Sequence, residues 1–218
     1  MRKILVSTFI SLDGVMQAPG GPEEDPVGGF EHGGWVWPHF DDEGGAAMGE
    51  ILGGSYDLLL GRKTYDIFAA HWPYADPNDP IAKSFNAATK YVASRSKRPL
   101  AWQNSRYLGA DAVAALNALK QENGPTLLVQ GSSDFMQTLW RAGLVDEFYV
   151  LIFPLVLGKG KRLFGDGVVP AALKLMSSRT TPSGVIIAKY LPEGPVKTGS
   201  FQHAEPSAAE VERRKNLT

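Results

Sequence analysis

Two short segments have the residue types and spacing to hold a phosphate. Gly61-Arg62-Lys63-Thr64 sets two cations and a hydroxyl behind a glycine, and Gly131-Ser132-Ser133 sets two hydroxyls behind another. Each follows a short apolar run, residues 57–60 and 126–130, and precedes a stretch with helical periodicity. A helix N-terminus offers unpaired backbone N–H groups and partial positive charge to an anion, and a leading glycine lets the anion come close. The first junction suits a monoester phosphate and the second a pyrophosphate. Taken singly, each has a plainer reading as turn chemistry followed by a solvated helical turn. Neither is a Walker A loop, because the upstream glycine is missing, and no G-x-G-x-x-G opens a helix.

Other chemistries find less footing. His32, His39, His71 and His203 are scattered without ligand spacing, so no metal is expected. The chain has no cysteine, which removes thiolate zinc sites, thiol nucleophiles and disulfide scaffolds. No G-x-S-x-G elbow accompanies the serines. Asp13, Asp41, Asp42, Glu43 and Glu50 gather around a long loop and the first helix, where each is either a proton donor or a partner of the helix dipole. Trp35, Trp37, Phe40, Trp72 and Tyr74 either line a flat pocket for a heteroaromatic ring or pack a lid onto the core.

These residues need a scaffold, and 218 residues with 44% hydrophobic content can bury one. Lys and Arg total 22 against 23 for Asp and Glu, so nothing draws the chain to nucleic acid or an anionic membrane. The longest apolar run, 148–157, is far short of the roughly 20 residues that span a bilayer. The expected partner is a small molecule and the expected setting the cytoplasm.

The pattern predicts a strand over 3–12, then a Gly-, Pro- and aromatic-rich loop over 17–37 of the kind that forms lids. Helix 41–52 follows, then strand 57–61 with helix 62–70, helix 80–88 with strand 90–94, and helix 111–122 with strand 126–130. A helix runs on from Gly131 through Trp140, and strands 146–157 and 184–191 are expected to pair antiparallel at one edge. Alternation of this kind means an α/β sheet that is largely parallel. A domain over 1–192 and a polar extension over 193–218, with a short helix through Arg214, complete the organisation. An apolar edge at 148–157 would need covering, which favours a homodimer.

Several motifs recur in a fixed order: Ser11-Leu12-Asp13-Gly14, Gly61-Arg62-Lys63-Thr64-Tyr65, Gly143-Leu144-Val145-Asp146-Glu147, then Pro154-Leu155-Val156-Leu157-Gly158-Lys159-Gly160 with Leu163-Phe164. Over residues 2–191 the chain resembles the reductase domain at the C-terminus of the bifunctional riboflavin-biosynthesis deaminase-reductase, the RibD C-terminal-like group of the dihydrofolate reductase superfamily. Nothing matches the zinc-binding motifs of the deaminase half, so the likeness is to stand-alone members.

The resemblance implies a three-layer α/β/α fold with a central mixed, mostly parallel sheet and an antiparallel C-terminal edge. It implies NADPH across the strand ends, with Gly61, Arg62, Lys63, Thr64, Ser94 and Arg95 around the adenosine 2′-phosphate and near pyrophosphate. Gly131, Ser132 and Ser133 would hold the far side of the pyrophosphate. Asp13 would stand near the reaction, with Val15 and Met16 beside the nicotinamide and with Trp37, Asp41 and Met48 on the substrate side. The implied activity is reduction of a pyrimidine- or pterin-like heterocycle, as in 5-amino-6-(5-phosphoribosylamino)uracil reduction. Dihydrofolate reductase-like activity and a non-catalytic NADPH-binding module are the alternatives.

Overall fold

A computed structural model describes residues 1–201 and 205–217. The strands are β1 (Ile4–Ser11), β2 (Tyr56–Gly61), β3 (Lys90–Ala93), β4 (Ser105–Tyr107), β5 (Thr126–Gln130), β6 (Glu147–Phe153), β7 (Ala172–Thr180) and β8 (Ile186–Gly194). The helices are α1 (Asp42–Leu52), α2 (Arg62–His71), α3 (Pro80–Ala87), α4 (Ala112–Gln121), α5 (Ser133–Arg141) and α6 (Ala208–Lys215). All eight strands form one sheet in the order β4-β3-β2-β5-β1-β6-β8-β7. Pairing is parallel from β4 to β6 and antiparallel at β6–β8 and β8–β7.

The sheet is covered on both faces, which explains why its central strands are continuous apolar runs. Alternate residues serve the two layers. Leu58, Leu60, Leu128, Leu151 and Phe153 pack with Ala47 and Ile51 of α1, Tyr65 of α2, Phe85 of α3, and Trp35 from the long loop. Leu59, Leu127, Val129, Phe148 and Val150 pack with Leu116 and Leu119 of α4 and Phe135, Met136 and Leu139 of α5. The fold is therefore the expected α/β/α sandwich.

Two strands escape the pattern. β4 is three residues long, and β7, with the sequence ALKLMSSRT, is exposed along most of its length. β7 forms the antiparallel edge, and β6 lies enclosed between β1 and β8. The expected strand 146–157 therefore stops at Phe153, and the part of the apolar run within it is an inner strand whose composition reflects burial in the sheet rather than a free edge awaiting a partner; residues 154–157 leave the sheet, with Val156 exposed. β8 continues through Pro192 to Gly194, three residues past the strand end expected at 191.

The 17–37 segment is fastened to the core. The Gln17 side chain donates to the carbonyls of Asp25 (2.8 Å) and Val27 (2.9 Å) and accepts from the Lys161 N–H (3.0 Å). Trp35 donates its indole N–H to the Gln17 carbonyl (2.8 Å) and meets Phe153 edge-on. Phe30, Trp35 and Val36 are buried, so much of the aromatic content of this segment is core packing.

Candidate functional site

A cleft of about 1150 Å³ runs along the carboxyl ends of the parallel strands and on between α1, α2 and α3. The two glycine junctions meet in its floor. The Gly61 N–H donates to Ser132 Oγ (2.9 Å), and the Ser132 N–H donates to Thr64 Oγ1 (3.0 Å). Each hydroxyl thus accepts a backbone bond from the other junction and keeps its own proton to donate. Gly131 and Ser132 both take the left-handed conformation, at φ +64° each. A Cβ on Gly131 would lie 3.3 Å from Thr64 Cγ2, so glycine here allows both the turn and the close approach.

The N-termini of α1, α3, α4 and α6 are capped by the side chains of Asp41, Asp79, Asp111 and Ser207. Those of α2 and α5 have no side-chain cap, and both open into the cleft. Their first-turn N–H groups and dipoles are therefore left without a side-chain acceptor, an arrangement with the chemistry to receive an anion.

The cations differ in availability. Arg62 bonds Asp66 (2.8 Å) and the carbonyls of Arg98 (3.0 Å) and Pro99 (3.2 Å), and its guanidinium lies over the Tyr65 ring. It lines the cleft while anchoring the segment that follows β3. Arg95 is exposed on the cleft beside Ser94 and has no hydrogen-bond or ion-pair partner among the described residues. The Ser94 hydroxyl donates to the Ser96 carbonyl (2.7 Å), which shapes the turn presenting Arg95.

Lys63 enters a cluster that sequence reasoning missed. Asp25 accepts from Lys63 Nζ (2.6 Å) and from Lys161 Nζ (2.7 Å), bridging the long loop, the start of α2 and the segment after β6. Burial pushes the Asp25 carboxyl up, and the ammonium groups of Lys161 and Lys63 outweigh it, leaving its pKa below the usual value. Burial beside a second cation holds Lys161 down. Beside Asp25, Glu24 accepts from the Gly20 N–H (2.6 Å), and burial raises its pKa. No local motif marks Asp25 or Lys161. Only the crossing of three distant segments brings them together.

Met16, Gly61, Arg62, Lys63, Thr64, Ser94, Arg95, Gly131, Ser132, Ser133, Trp37 and Met48 all line the cleft. Asp13, Val15 and Asp41 do not. Asp13 accepts from Ser11 Oγ (2.6 Å) and from the N–H groups of Leu157 (3.1 Å) and Gly158 (2.8 Å). Burial opposes these bonds, which prevail and bring its pKa to about 2. It is a loop clamp, and a carboxylate so strongly held in its ionised form is a poor proton donor. Val15 is fully buried and bridges to Arg162. Asp41 caps α1 through the Gly44 N–H (2.9 Å) and also accepts from Ser183 N–H (3.0 Å), contacts that hold its pKa at about 2.

Gln130 also lines the cleft, and its buried Nε2 has no hydrogen-bond partner among the described residues. Among the described residues no group of His, Asp and Glu is placed to hold a metal, and His203 lies outside them. No helix among the described residues is long and apolar enough to cross a membrane.

Residues 2–187 match the RibD C-terminal domain. The chain belongs to the RibD C-terminal domain family. The uncharacterized protein YyaP of Bacillus subtilis (strain 168) is 28% identical over 192 residues, covering 87% of this chain and 94% of that protein. The fold of this RibD C-terminal domain resembles the diaminohydroxyphosphoribosylaminopyrimidine deaminase/5-amino-6-(5-phosphoribosylamino)uracil reductase of Thermotoga maritima. That likeness has a TM-score of 0.58 at 14% identity and covers 88% of this chain and 56% of that one. Dihydrofolate reductase from Enterococcus faecalis, complexed with NADP(H), gives a TM-score of 0.53 at 13% identity over 87% of this chain and 96% of that one. At such identities the likeness is one of fold, and it places the RibD C-terminal domain seen here among dihydrofolate reductase-like α/β sheets.

Proposed function

We propose that this RibD C-terminal domain is a cytoplasmic NADPH-dependent reductase of a small planar substrate of the pyrimidine- or pterin-like kind. One observation carries the reading: the two helices without side-chain caps, α2 and α5, interlock at the floor of the cleft with an unpartnered arginine nearby. Paired helix N-termini fit a pyrophosphate, and Arg95 fits the further phosphate that distinguishes NADPH from NADH.

NADPH, when bound, supplies the hydride. The protein's contribution is placement. Gly131, Ser133 and the first turn of α2 present backbone N–H groups, Gly61 and Ser132 tie the two junctions together through theirs, and Thr64 and Ser132 donate the hydroxyl protons left free by those contacts. Lys63 adds charge while tied to Asp25, and Met16 lines the wall where the ring would lie. Trp37 and Met48 flank the substrate side, and the 17–37 segment excludes water. Asp13 acts by holding the loop at Leu157 and Gly158 in place. Glu24, whose carboxyl burial pushes up, is the lining group suited to carry a proton.

Thermal-shift titration with NADPH and NADH side by side tests the reading. A ligand at ~100 times its Kd adds about 2.7 kcal/mol of stability, so NADPH should raise the melting temperature at far lower concentration than NADH. Equal responses would remove the Arg95 assignment, and no response would remove the cofactor. The reading extends to a homodimer formed through the β7 edge, where Leu175 and Met176 are about half exposed. Light scattering should give twice the chain mass, and a Met176→Asp chain should run as a monomer.

A further inference from the structure

The cleft is electrically lopsided. Its charged side chains come from the loop at Glu24 and Asp25, the first turns of α2 and α5, the cap of α4, the exit of β3, and Lys161. The rest of the wall, formed by α1, by α3 and by α2 beyond its first turn, contributes no Asp, Glu, Lys, Arg or His. Met48 and Leu52 of α1 face Ile67 and Phe68 of α2 and Ile81 and Phe85 of α3 across this end, and Phe9 of β1 closes it.

The carboxylates at the start of α1 and along it stay out of this wall: Asp42 and Glu43 do not line the cleft, and Asp41 and Glu50 are engaged elsewhere. Glu50 accepts from Tyr149 (2.9 Å) and Arg179 (2.8 Å), and Asp41 holds the N–H groups of Gly44 and Ser183. The Ser84 hydroxyl is paired with Tyr56 (2.5 Å). Gly45 and Gly49 lie four residues apart on the groove side of α1, and a Cβ at either would meet nothing within 4 Å. The groove is therefore open as well as apolar.

We infer that the substrate of this site is an uncharged planar ring compound that lays an apolar face between α1, α2 and α3, and not a phosphorylated or carboxylated one. The inference rests on the reductase reading for which end of the cleft holds nucleotide. A phosphate or carboxylate taken into this wall would lose water and find no cation, a desolvation that a neutral ring avoids. The phosphoribosyl group in the substrate named for the Thermotoga relative finds no counter-charge among the cleft-lining residues of α1, α3 or the later turns of α2. In the reaction, the electrophilic carbon of a C=N or C=C–C=O group gains a hydride from NADPH. The displaced electron pair moves to the nitrogen or oxygen end, a proton from Glu24 or water completes the reduced product, and NADP⁺ is the oxidised one.

A matched pair of probes isolates charge. Chalcone is a neutral aromatic enone, and 4-carboxychalcone adds one carboxylate. Binding is followed by thermal shift with and without NADPH, and turnover by NADPH oxidation. Menadione serves as a second neutral ring, and 5-amino-6-(5-phosphoribosylamino)uracil and dihydrofolate as further charged compounds. Chalcone or menadione should bind at least 10-fold more tightly than any charged compound, with or without nucleotide. In a Gly49→Lys chain that preference should shrink at least 10-fold toward 4-carboxychalcone, with Gly49→Ala as the control for backbone effects.

Equal or tighter binding of a charged compound overturns the inference, as does the absence of any shift with both neutral rings. Neutral binding together with no NADPH response would instead remove the reductase reading and leave the ligand class standing.

Discussion

The α-helices divide into two groups at their first turns. In α1, α3, α4 and α6 an Asp or Ser accepts the N–H two or three residues on. In α2 and α5 nothing in the side chains does so, though Ser132 stands at the position that normally caps. Its conformation explains the failure. A capping residue is extended, whereas Ser132 sits at φ +64°, which turns its hydroxyl to the Gly61 N–H of the neighbouring junction. Capped helices use their first-turn donors for stability, and the uncapped pair leave theirs facing the cleft. A cap residue in the sequence is therefore not a cap until its backbone allows it.

Substitutions at the uncapped pair should have the largest effects. Gly131→Val places a β-branched residue at φ +64° against Thr64 and should cost about 1–3 kcal/mol from the backbone conformation alone. The nucleotide response should vanish even at temperatures where the fold persists, as read by circular dichroism and thermal shift on the same sample. Retained NADPH binding would mean that the junction is merely a turn.

Arg95→Ala sharpens the contrast on the ligand side. Loss of a charge-assisted contact is worth about 1.5–3 kcal/mol, so NADPH should bind roughly 10- to 100-fold more weakly while NADH is unaffected. Arg62→Ala should behave differently, because that guanidinium holds the Arg98 and Pro99 carbonyls. Its loss should lower the melting temperature and weaken both nucleotides alike. A loss confined to NADPH at position 62 would restore to Arg62 the role its place in the motif implied.

What the sequence made legible follows from the range of the interactions. Both junctions announce themselves because glycine, hydroxyl and cation lie within four residues, and strands such as β2 and β5 because burial on both faces leaves continuous apolar runs. The β7 edge has no such run, since it is open to solvent and its serines and charges are compatible with a loop. The Asp25 cluster was out of reach for another reason: Lys63 and Lys161 stand 38 and 136 residues away from it. Asp13 looked chemical because it sits in a motif beside the cleft, yet its hydrogen bonds to Leu157 and Gly158 span 144 residues or more. Local patterns show which residues have chemical capacity, and only packing shows which of them are already occupied.

Capped helices should respond on a smaller scale and without touching the ligand. Asp79 accepts from the N–H groups of Ile81 (2.7 Å) and Ala82 (3.1 Å), far from the paired junctions in sequence. Asp79→Ala should lower stability by about 1 kcal/mol, read from a urea midpoint, and leave NADPH affinity as it was. A change in nucleotide affinity of similar size would break the division between the two groups.

The smallest of these effects, and the one that acid removes, belongs to Asp13, where the device used by the caps closes a loop. Its pKa is about 2 in the folded protein against an ordinary 3.8. The folded state therefore binds this proton less readily than the unfolded chain. The stabilisation is fully present above pH 3.8 and is lost as the pH falls towards 2. Asp13→Asn removes that dependence while keeping the side-chain shape, so the mutant should start less stable and lose less between those two values. Denaturant midpoints at pH 7, 4 and 3 measure it. If the two chains fall in parallel, the clamp contributes nothing in acid. If the mutant instead keeps its stability and loses turnover in its NADPH complex, Asp13 belongs to the chemistry and not to the loop.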